Sequence, residues 1–237
     1  MKKSSIEQDI LYADNHLIIL NKKPSEIVQG DRTGDEPLSE KLKGYIKTTC
    51  NKPGAVFLGV VHRLDRPVSG AVIFARTSKA LTRLNAMLRD GEIRKTYWAV
   101  VRNEPPRPEG HLVDYLTRNP EKNISRVHHH PVEGSQKAEL IYRVAARSDG
   151  YFLLEVELLT GRHHQIRAQL AAMGCPIRGD LKYGYPRSNE GGFIHLHARS
   201  LDFIHPVKKE RIMITADPPG DTLWDHFTAT FMEHLKA

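Results

Sequence analysis

Two apolar runs stand out along this chain, separated by a short polar segment. The runs, residues 56–61 and 71–75, have the length and near-continuous hydrophobicity of buried strands. The segment between them, 62–70, reads His-Arg-Leu-Asp-Arg-Pro-Val-Ser-Gly. Proline, serine and glycine between apolar runs are typical of tight connections. The pattern therefore predicts a turn that carries Asp65 between two buried strands.

The remaining elements follow from the same kinds of pattern. Period-two or continuous apolar segments predict strands at 10–12, 17–20, 95–101, 151–158, 200–205 and 211–215. Helical spacing and end signals predict helices at 38–46, from a Ser78 cap to Gly91, from about Arg162 to Met173, and from about Asp221 onward. Strands in clusters with few helices between them predict an α+β fold with a mixed, largely antiparallel sheet.

Residues 103–134 show neither the two-residue period of a strand nor the 3.6-residue period of a helix. Their prolines and the three adjacent histidines at 128–130 predict an irregular excursion or an insertion. We find no internal repeat and no low-complexity linker. We therefore expect residues 1–9 to form an N-terminal tail and residues 10–237 to form one domain.

Charge points to a polyanionic partner. Lys and Arg number 35 against 28 Asp and Glu, a formal net charge of +7. A basic surplus of this kind favours nucleic acid as the partner. Neither a signal peptide nor a run of about 20 apolar residues is visible, so we expect a cytoplasmic protein.

Cysteines and histidines offer no recognisable metal pattern. The two cysteines, Cys50 and Cys175, lie far apart and predict neither a disulfide framework nor a zinc ribbon. The 13 histidines show no closed set of ligand spacings. We predict no metal site and interpret the histidines as exposed or RNA-contacting.

Asp65 is the first candidate for chemistry. It lies between Arg63 and Arg66, and a nearby cation favours the ionised form of a carboxylate. An ionised, oriented carboxylate with no second acid in its motif is typical of a nucleophile. The alternative is a structural Arg–Asp pair that closes a turn, which the spacing alone favours.

A second candidate segment spans residues 159–167. A predicted strand ends, Thr160 and Gly161 turn, and the predicted helix opens with Arg, two His and Gln. Free N–H groups and the helix dipole favour anions at a helix N-terminus. Arg162 and Arg167 add charge, so the segment can meet a phosphate or the Asp65 carboxylate. The alternative is a solvated basic helix face.

Taken in order, these segments strongly resemble the RluA-type pseudouridine synthases. The resemblance rests on HRLD at 62–65, SG at 69–70, KTYWA at 95–99, TGRHHQIR at 160–167, GCPIRGD at 174–180, YG at 183–184, LHA at 196–198 and FIHP at 203–206. It extends over about residues 10–225. The family usually has Thr at the position of Val68. This departure does not affect the neighbouring motif residues, which match the family. Many relatives also carry an S4-type RNA-binding domain, which we do not expect here.

The resemblance implies a pseudouridine synthase fold with a central active-site cleft and an activity. The enzyme would isomerise specific uridines in ribosomal or transfer RNA, after flipping the uridine out of the folded RNA. It implies that Asp65 attacks C1′ of the ribose or C6 of the uracil, and the sequence does not distinguish these. It also implies no nucleotide, metal or organic cofactor. We expect a monomer.

The resemblance also assigns individual roles. Arg63 would fill the gap left by the flipped base, and Ile166 would line the base pocket. Tyr97 would stack on the base and is a candidate acceptor of the C5 proton, although a strand tyrosine is more often a packing residue. Arg167 would pair with Asp65. The further RNA-binding residues that the resemblance implies are His62, Leu64 and Arg162.

Two other functions remain open at this point. The first is a catalytically idle RNA-binding protein with the same fold. The second is a glycosidic-bond hydrolase with Asp65 as nucleophile, but retaining hydrolases need a second carboxylate about 5 Å away. Apart from Asp65, neither of the two candidate segments, 62–70 and 159–167, contains a carboxylate.

Overall fold

A computed structural model describes residues 6–31, 33–51 and 53–234. Its strands are β1 (Ile10–Ala13), β2 (Leu17–Lys22), β3 (Gly59–Val60), β4 (Ser69–Ala75), β5 (Arg94–Val101), β6 (Glu109–Asn119), β7 (Ile124–His128), β8 (Gln136–Ser148), β9 (Tyr151–Leu158), β10 (Leu196–Ile204) and β11 (Arg211–Thr215). Its α-helices are α1 (Leu38–Thr49), α2 (Ser78–Arg89), α3 (Gln165–Ala172) and α4 (Thr222–His234). The predicted α+β class with a largely antiparallel sheet is confirmed.

The chain divides into two compact units. The first comprises Met1–Ile93 and Ala198–Asp217, and the second comprises Arg94–His197 and Pro218–Ala237. Of the expected tail at residues 1–9, the first five lie outside the described residues, and Glu7–Asp9 form a short 3₁₀ turn. The expectation of one domain over 10–237 stays a prediction.

The first unit is built around β4. All seven residues of β4 are buried, and β2 pairs with it antiparallel from Leu17 opposite Ala75 to Lys22 opposite Gly70. A continuous apolar run is what a strand needs when both of its faces are covered. Helix α2 packs on this sheet, and its N-cap is Thr77, whose side chain accepts a hydrogen bond from the Ala80 N–H. The predicted Ser78 cap is therefore wrong by one residue.

The predicted strand at 56–61 is largely wrong. Only β3 forms there, with Gly59 opposite Ala75 and Val60 opposite Phe74. Phe57 is 47% exposed, although it belongs to the apolar run. The segment meets its partner only at the end of β4, so most of the run has no strand to pair with.

Gly70 lies inside β4 and not in the predicted turn. Its φ is +116°, which L side chains rarely adopt, and a Cβ there would lie under 3.0 Å from the backbone of Ala198. The close approach of two backbones requires a glycine at this position. The Ser-Gly pair therefore serves the packing of β4.

The second unit contains the antiparallel order β5-β9-β8-β6-β7. The predicted irregular excursion at 103–134 is wrong, because the β6–β7 hairpin at 109–128 occupies most of it, and its strands pair from Tyr115 opposite His128 to Asn119 opposite Ile124. Strand β8, 13 residues long, was not predicted. Prolines precede β6, and half of its positions are exposed, so its hydrophobic pattern is weak.

Helix α4 covers one face of this second sheet. Trp98 of β5 is 1% exposed and packs edge-to-face on Phe231, with ring centroids 4.9 Å apart. Trp224 and Phe227 of α4 are also fully buried in the same cluster. The predicted helix start is confirmed, because the Asp221 carboxylate accepts hydrogen bonds from the first turn. None of the described helices is long and apolar enough to cross a membrane.

Candidate active site

The Asp65 segment is an irregular stretch of the first unit, held by backbone hydrogen bonds. The Val68 N–H donates to the Asp65 carbonyl at 3.0 Å, which closes a turn directly after the carboxylate. The Ser25 N–H donates to the Arg66 carbonyl at 2.9 Å. Leu64 is buried and Asp65 half-buried, whereas Arg63 is exposed. The turn therefore presents Asp65 from a fixed backbone.

The buried side chain of Lys22 binds the same turn through its ammonium group. It is only 1% exposed, and its ammonium donates to the carbonyls of Val68 at 2.6 Å, Lys23 at 2.8 Å and Arg66 at 3.2 Å. Burial lowers the pKa of Lys22 from 10.5 to about 7, and the charges of Glu26 and Asp65 oppose this change. The buried lysine thus fixes the residues that follow Asp65. The burial of Lys22 cannot be predicted from the sequence, because a lysine at the end of an apolar strand gives no signal of burial.

Replacing Lys22 by methionine should change how stability depends on pH. Above pH 7 the folded state loses a proton that the unfolded state keeps up to about pH 10.5. The unfolded state then binds more protons, so this group makes the free energy of unfolding rise with pH by up to about 1.4 kcal/mol per unit. Below pH 7 both states are protonated and Lys22 contributes no slope.

Urea unfolding at pH 6, 7, 8 and 9 measures this effect. The difference in unfolding free energy between wild type and Lys22→Met should be flat from pH 6 to 7. It should then grow in favour of wild type by about 2 kcal/mol up to pH 9. Lys47→Met, which removes an exposed lysine of α1, should give a difference without that rise. Parallel pH curves for wild type and Lys22→Met would contradict the prediction.

Two other side chains of the segment have structural contacts. The Nε2 of His62 accepts a hydrogen bond from the Ile73 N–H at 3.2 Å. The Arg66 guanidinium forms an ion pair with Asp35. The role of His62 in RNA binding stays a prediction, and its contact with β4 helps to hold the Asp65 segment on the sheet.

Tyr97 lies in the second unit, in the middle of β5. It stands opposite Val156 of β9 and is 6% exposed. Because side chains alternate along a strand, Tyr97 shares a face with Lys95 and Ala99, and Trp98 lies on the opposite face under α4. The predicted strand is confirmed, as is the prediction that Tyr97 and Trp98 lie on opposite faces of it.

The predicted helix from about Arg162 begins later than expected. Helix α3 starts at Gln165, and His164 before it has a φ of +52°, in the left-handed region. Arg162 and the two histidines therefore lie in a turn and not on a helix face. The reason is Gln165, whose side-chain oxygen accepts from the Thr160 hydroxyl at 2.8 Å and from the Arg162 N–H at 3.0 Å.

Arg167 is buried and forms a two-pronged ion pair. Its Nε and Nη2 donate to the two carboxylate oxygens of Asp180 at 2.7 and 2.8 Å. The Tyr183 ring lies against the guanidinium, with the guanidinium carbon 5.2 Å from the ring centroid. Bidentate pairs of this kind set the orientation of an arginine. The GD and YG residues at 179–184, which carried the resemblance without an assigned role, thus hold Arg167.

A hydrogen-bond chain joins this cluster to β7. The Tyr183 hydroxyl lies 2.9 Å from Nδ1 of His164 and accepts from the Ser125 N–H at 2.8 Å. The Ser125 hydroxyl in turn donates to the His163 carbonyl at 2.6 Å. The two histidines of the motif therefore connect the β6–β7 hairpin to α3.

The remaining predicted residues of the second unit take different positions. Ile166 is buried in α3, and Arg162 is exposed, with its Nε donating to the Lys137 carbonyl at 2.9 Å. The pairing of Arg167 with Asp65 stays a prediction, as do the individual roles of Arg63, Leu64 and Tyr97.

The interpretation of the histidines as exposed or RNA-contacting is wrong for three of them. His195, His197 and His205 are fully buried. Nε2 of His205 lies 3.0 Å from the Asp14 carboxylate, and its Nδ1 accepts from the N–H groups of Val207 and Lys208. These contacts explain the FIHP motif as a structural one.

His195 has a similar structural position in the second unit. Its Nε2 lies 2.9 Å from the Asp221 carboxylate, which also caps α4. Burial lowers the pKa of His195 to about 4, although Asp221 opposes this change. No group of three or more His, Cys, Asp or Glu among the described residues is arranged to hold a metal ion.

A family model described as RNA pseudouridylate synthase matches residues 16–172. An RNA pseudouridine synthase of Synechocystis, named as uncharacterized, is 35% identical over 221 residues, covering 91% of this chain and 67% of the relative. The ribosomal large subunit pseudouridine synthase C of Vibrio cholerae is 31% identical over 221 residues, with the same coverage of 91% and 67%.

Two human structures share the fold. The human RNA pseudouridylate synthase domain containing 4 protein aligns with a TM-score of 0.77 at 20% identity, over 96% of this chain and 94% of that one. The human domain containing 1 protein aligns with a TM-score of 0.69 at 20% identity, over 100% and 98%. At this identity the similarity concerns the fold.

Proposed function

This chain belongs to the RNA pseudouridylate synthase family and is an RNA-modifying isomerase, and we propose that it uses Asp65 as the nucleophile on specific uridines of structured RNA. The observation that carries the proposal is the fixed presentation of Asp65. Its turn is closed by the hydrogen bond from the Val68 N–H. Further hydrogen bonds from the Ser25 N–H and the buried Lys22 ammonium hold the residues after Asp65. A backbone held in this way limits where the Asp65 carboxylate can lie, which suits nucleophilic catalysis.

The reaction is an internal exchange of bonds. The target uridine is first flipped out of the RNA stack, at a cost of a few kcal/mol. Asp65 then attacks C1′ of the ribose or C6 of the uracil, and the N1–C1′ bond breaks. The base turns, C5 bonds to C1′ and Asp65 is freed, while C5 loses its proton and N1 gains one. Atoms and electrons balance without an external reactant.

Tyr97 and Arg167 complete the proposed catalytic set. Tyr97 is proposed to stack its ring on the base, which is how proteins hold unstacked bases. Its hydroxyl is the proposed acceptor of the C5 proton. Arg167 supplies a charge that Asp180 holds in one orientation, which suits a group that stabilises a reacting carboxylate.

We propose large-subunit ribosomal RNA as the substrate. The relative from Vibrio cholerae carries a name that places its activity there, and the alignment with it covers 91% of this chain. The formal net charge of +7 suits a polyanion of either ribosomal or transfer RNA.

Site-resolved pseudouridine mapping tests the proposal. Total RNA is taken from cells lacking this protein and from the same cells complemented with wild type or Asp65→Asn. Sites in large-subunit ribosomal RNA should disappear in the deletion and return only with wild type. Lost sites in transfer RNA instead would contradict the substrate. An unchanged map, with the protein expressed and folded, would contradict the activity and favour a non-catalytic RNA-binding protein.

A further inference from the structure

Lys95 is a half-buried lysine of the second unit, and none of the residues that the structure describes supplies it with a counter-charge. It lies on β5, on the same face as Tyr97 two residues away. Its ammonium lies beside the turn between β9 and α3, because a Cβ placed on Gly161 would be 3.8 Å from Lys95 Nζ. The ammonium therefore lies beside the TGRHHQIR turn, and its residue shares a strand face with the proposed base-stacking residue Tyr97.

The basic side chains next to Lys95 have protein partners. Arg94 forms an ion pair with Glu157 at 2.6 Å, and Arg162 donates to the Lys137 carbonyl. Across 6–31, 33–51 and 53–234, no carboxylate and no hydrogen-bond acceptor is paired with Lys95 Nζ. Burial alone lowers the pKa of Lys95. A desolvated, unpaired cation costs stability, so its retention points to an anion supplied from outside the chain.

The turn beside Lys95 is rigid and has a free donor. Gln165 binds Thr160 and Arg162 on either side of Gly161, and its own Nε2 donates to the Glu139 carbonyl at 3.0 Å. Gly161 is exposed, and within the described part of the chain its N–H has no partner. The absence of a side chain at Gly161 leaves open the space in front of the Lys95 ammonium.

We propose that the Lys95 ammonium and the Gly161 N–H form a subsite for a backbone phosphate of the substrate RNA, next to the base that Tyr97 holds. This inference rests on the proposed function. A lysine acts on phosphate as a compact point charge, and a backbone N–H adds direction. The subsite positions the flipped nucleotide by its phosphodiester and carries no sequence information.

Single-turnover kinetics of Lys95→Met test the subsite. The substrate is total RNA from cells lacking the protein, labelled with [5-³H]uridine, and the signal is tritium released when C5 loses its proton. The enzyme concentration for half-maximal rate should rise about tenfold, with the maximal rate within about twofold of wild type. Because the variant lacks one phosphate contact, its affinity should depend less on salt. The ratio of half-saturating concentrations, Lys95→Met to wild type, should therefore fall about fivefold when salt rises tenfold.

Three controls separate this role from a structural one. Lys95→Arg keeps the charge and should restore most of the affinity and the salt dependence. Lys47→Met removes an exposed ammonium of α1 and should leave both parameters near those of wild type. The Tm of Lys95→Met should equal or exceed that of wild type, because the substitution removes a desolvated charge that nothing in the described chain compensates.

Each contrary result has its own meaning. An unchanged half-saturating concentration, or a lowered maximal rate with unchanged half-saturation, overturns the phosphate subsite. A lowered Tm for Lys95→Met also overturns it, because the lysine would then support the fold. Absence of tritium release by wild type overturns the proposed function itself, and the subsite with it.

Discussion

Asp65→Asn is expected to lower the rate of pseudouridine formation at least about 10³-fold without unfolding the protein. The substitution keeps the size and shape of the side chain but removes the negative charge and the nucleophilic oxygen pair. The backbone bonds of the turn, from Val68 to Asp65 and from Ser25 to Arg66, do not involve the carboxylate and should persist. Single-turnover tritium release from [5-³H]uridine-labelled RNA measures the rate.

The matched control is Asp90→Asn, which removes an exposed carboxylate in the same unit, just after α2. It should retain the wild-type rate. A rate for Asp65→Asn within tenfold of wild type, with an unchanged Tm, would remove Asp65 from the role of nucleophile. Release of free uracil by wild type, in place of tritium exchange without base loss, would identify a hydrolase.

Asp180→Asn is expected to destabilise the fold by about 3–5 kcal/mol, because it removes the counter-charge of a buried arginine. The side chains of Arg167 and Asp180 are only 5% and 1% exposed, so little water can replace the lost carboxylate. The amide can still accept one of the two hydrogen bonds but carries no charge. Urea unfolding at pH 7 measures the loss.

An exposed pair provides the comparison. Asp202 and Arg211 form an equally short bidentate pair, but the arginine side chain is 63% exposed. Asp202→Asn should therefore cost no more than about 1 kcal/mol. Similar costs for the two substitutions would show that Asp180 does not compensate the charge of Arg167.

A double variant separates the structural and catalytic parts of the same pair. Arg167→Met with Asp180→Leu replaces the buried ions by apolar groups and should recover much of the stability lost in Asp180→Asn. If Arg167 belongs to the catalytic set, this stable double variant should still be inactive. Recovery of activity together with stability would limit Arg167 to a structural role.

Local pattern was sufficient for the elements that bury a continuous or periodic apolar face. Strands β2, β4, β5 and β9 and the helices α1, α2 and α4 lie close to their predicted positions. It failed where pairing depends on a distant partner. Strands β6, β7 and β8 lie in the sheet order β8-β6-β7, and many of their side chains are exposed, so the local sequence gives only a weak apolar pattern there.

The site was predicted as motifs, and its supporting contacts were not. Asp65 and Arg167 were identified from the residues around them and from the family resemblance. Lys22, 43 residues before Asp65, and Asp180, 13 residues after Arg167, gave no sign of their contacts. A buried ion can be identified only from the groups that surround it in the folded protein, and those groups are distant in the sequence.

By itself the sequence determined the α+β class, the family and the candidate nucleophile, because those follow from short-range periodicity and from ordered motifs that few proteins share. Only the tertiary structure decided that Gly70 admits the backbone of Ala198, that Lys22 holds the Asp65 turn, and that Lys95 has no partner among the described residues. Each of these three features depends on groups that are distant in the sequence and that exclude water from one another in the folded protein. Burial and charge compensation are properties of the folded neighbourhood, so they emerge only when the chain has packed.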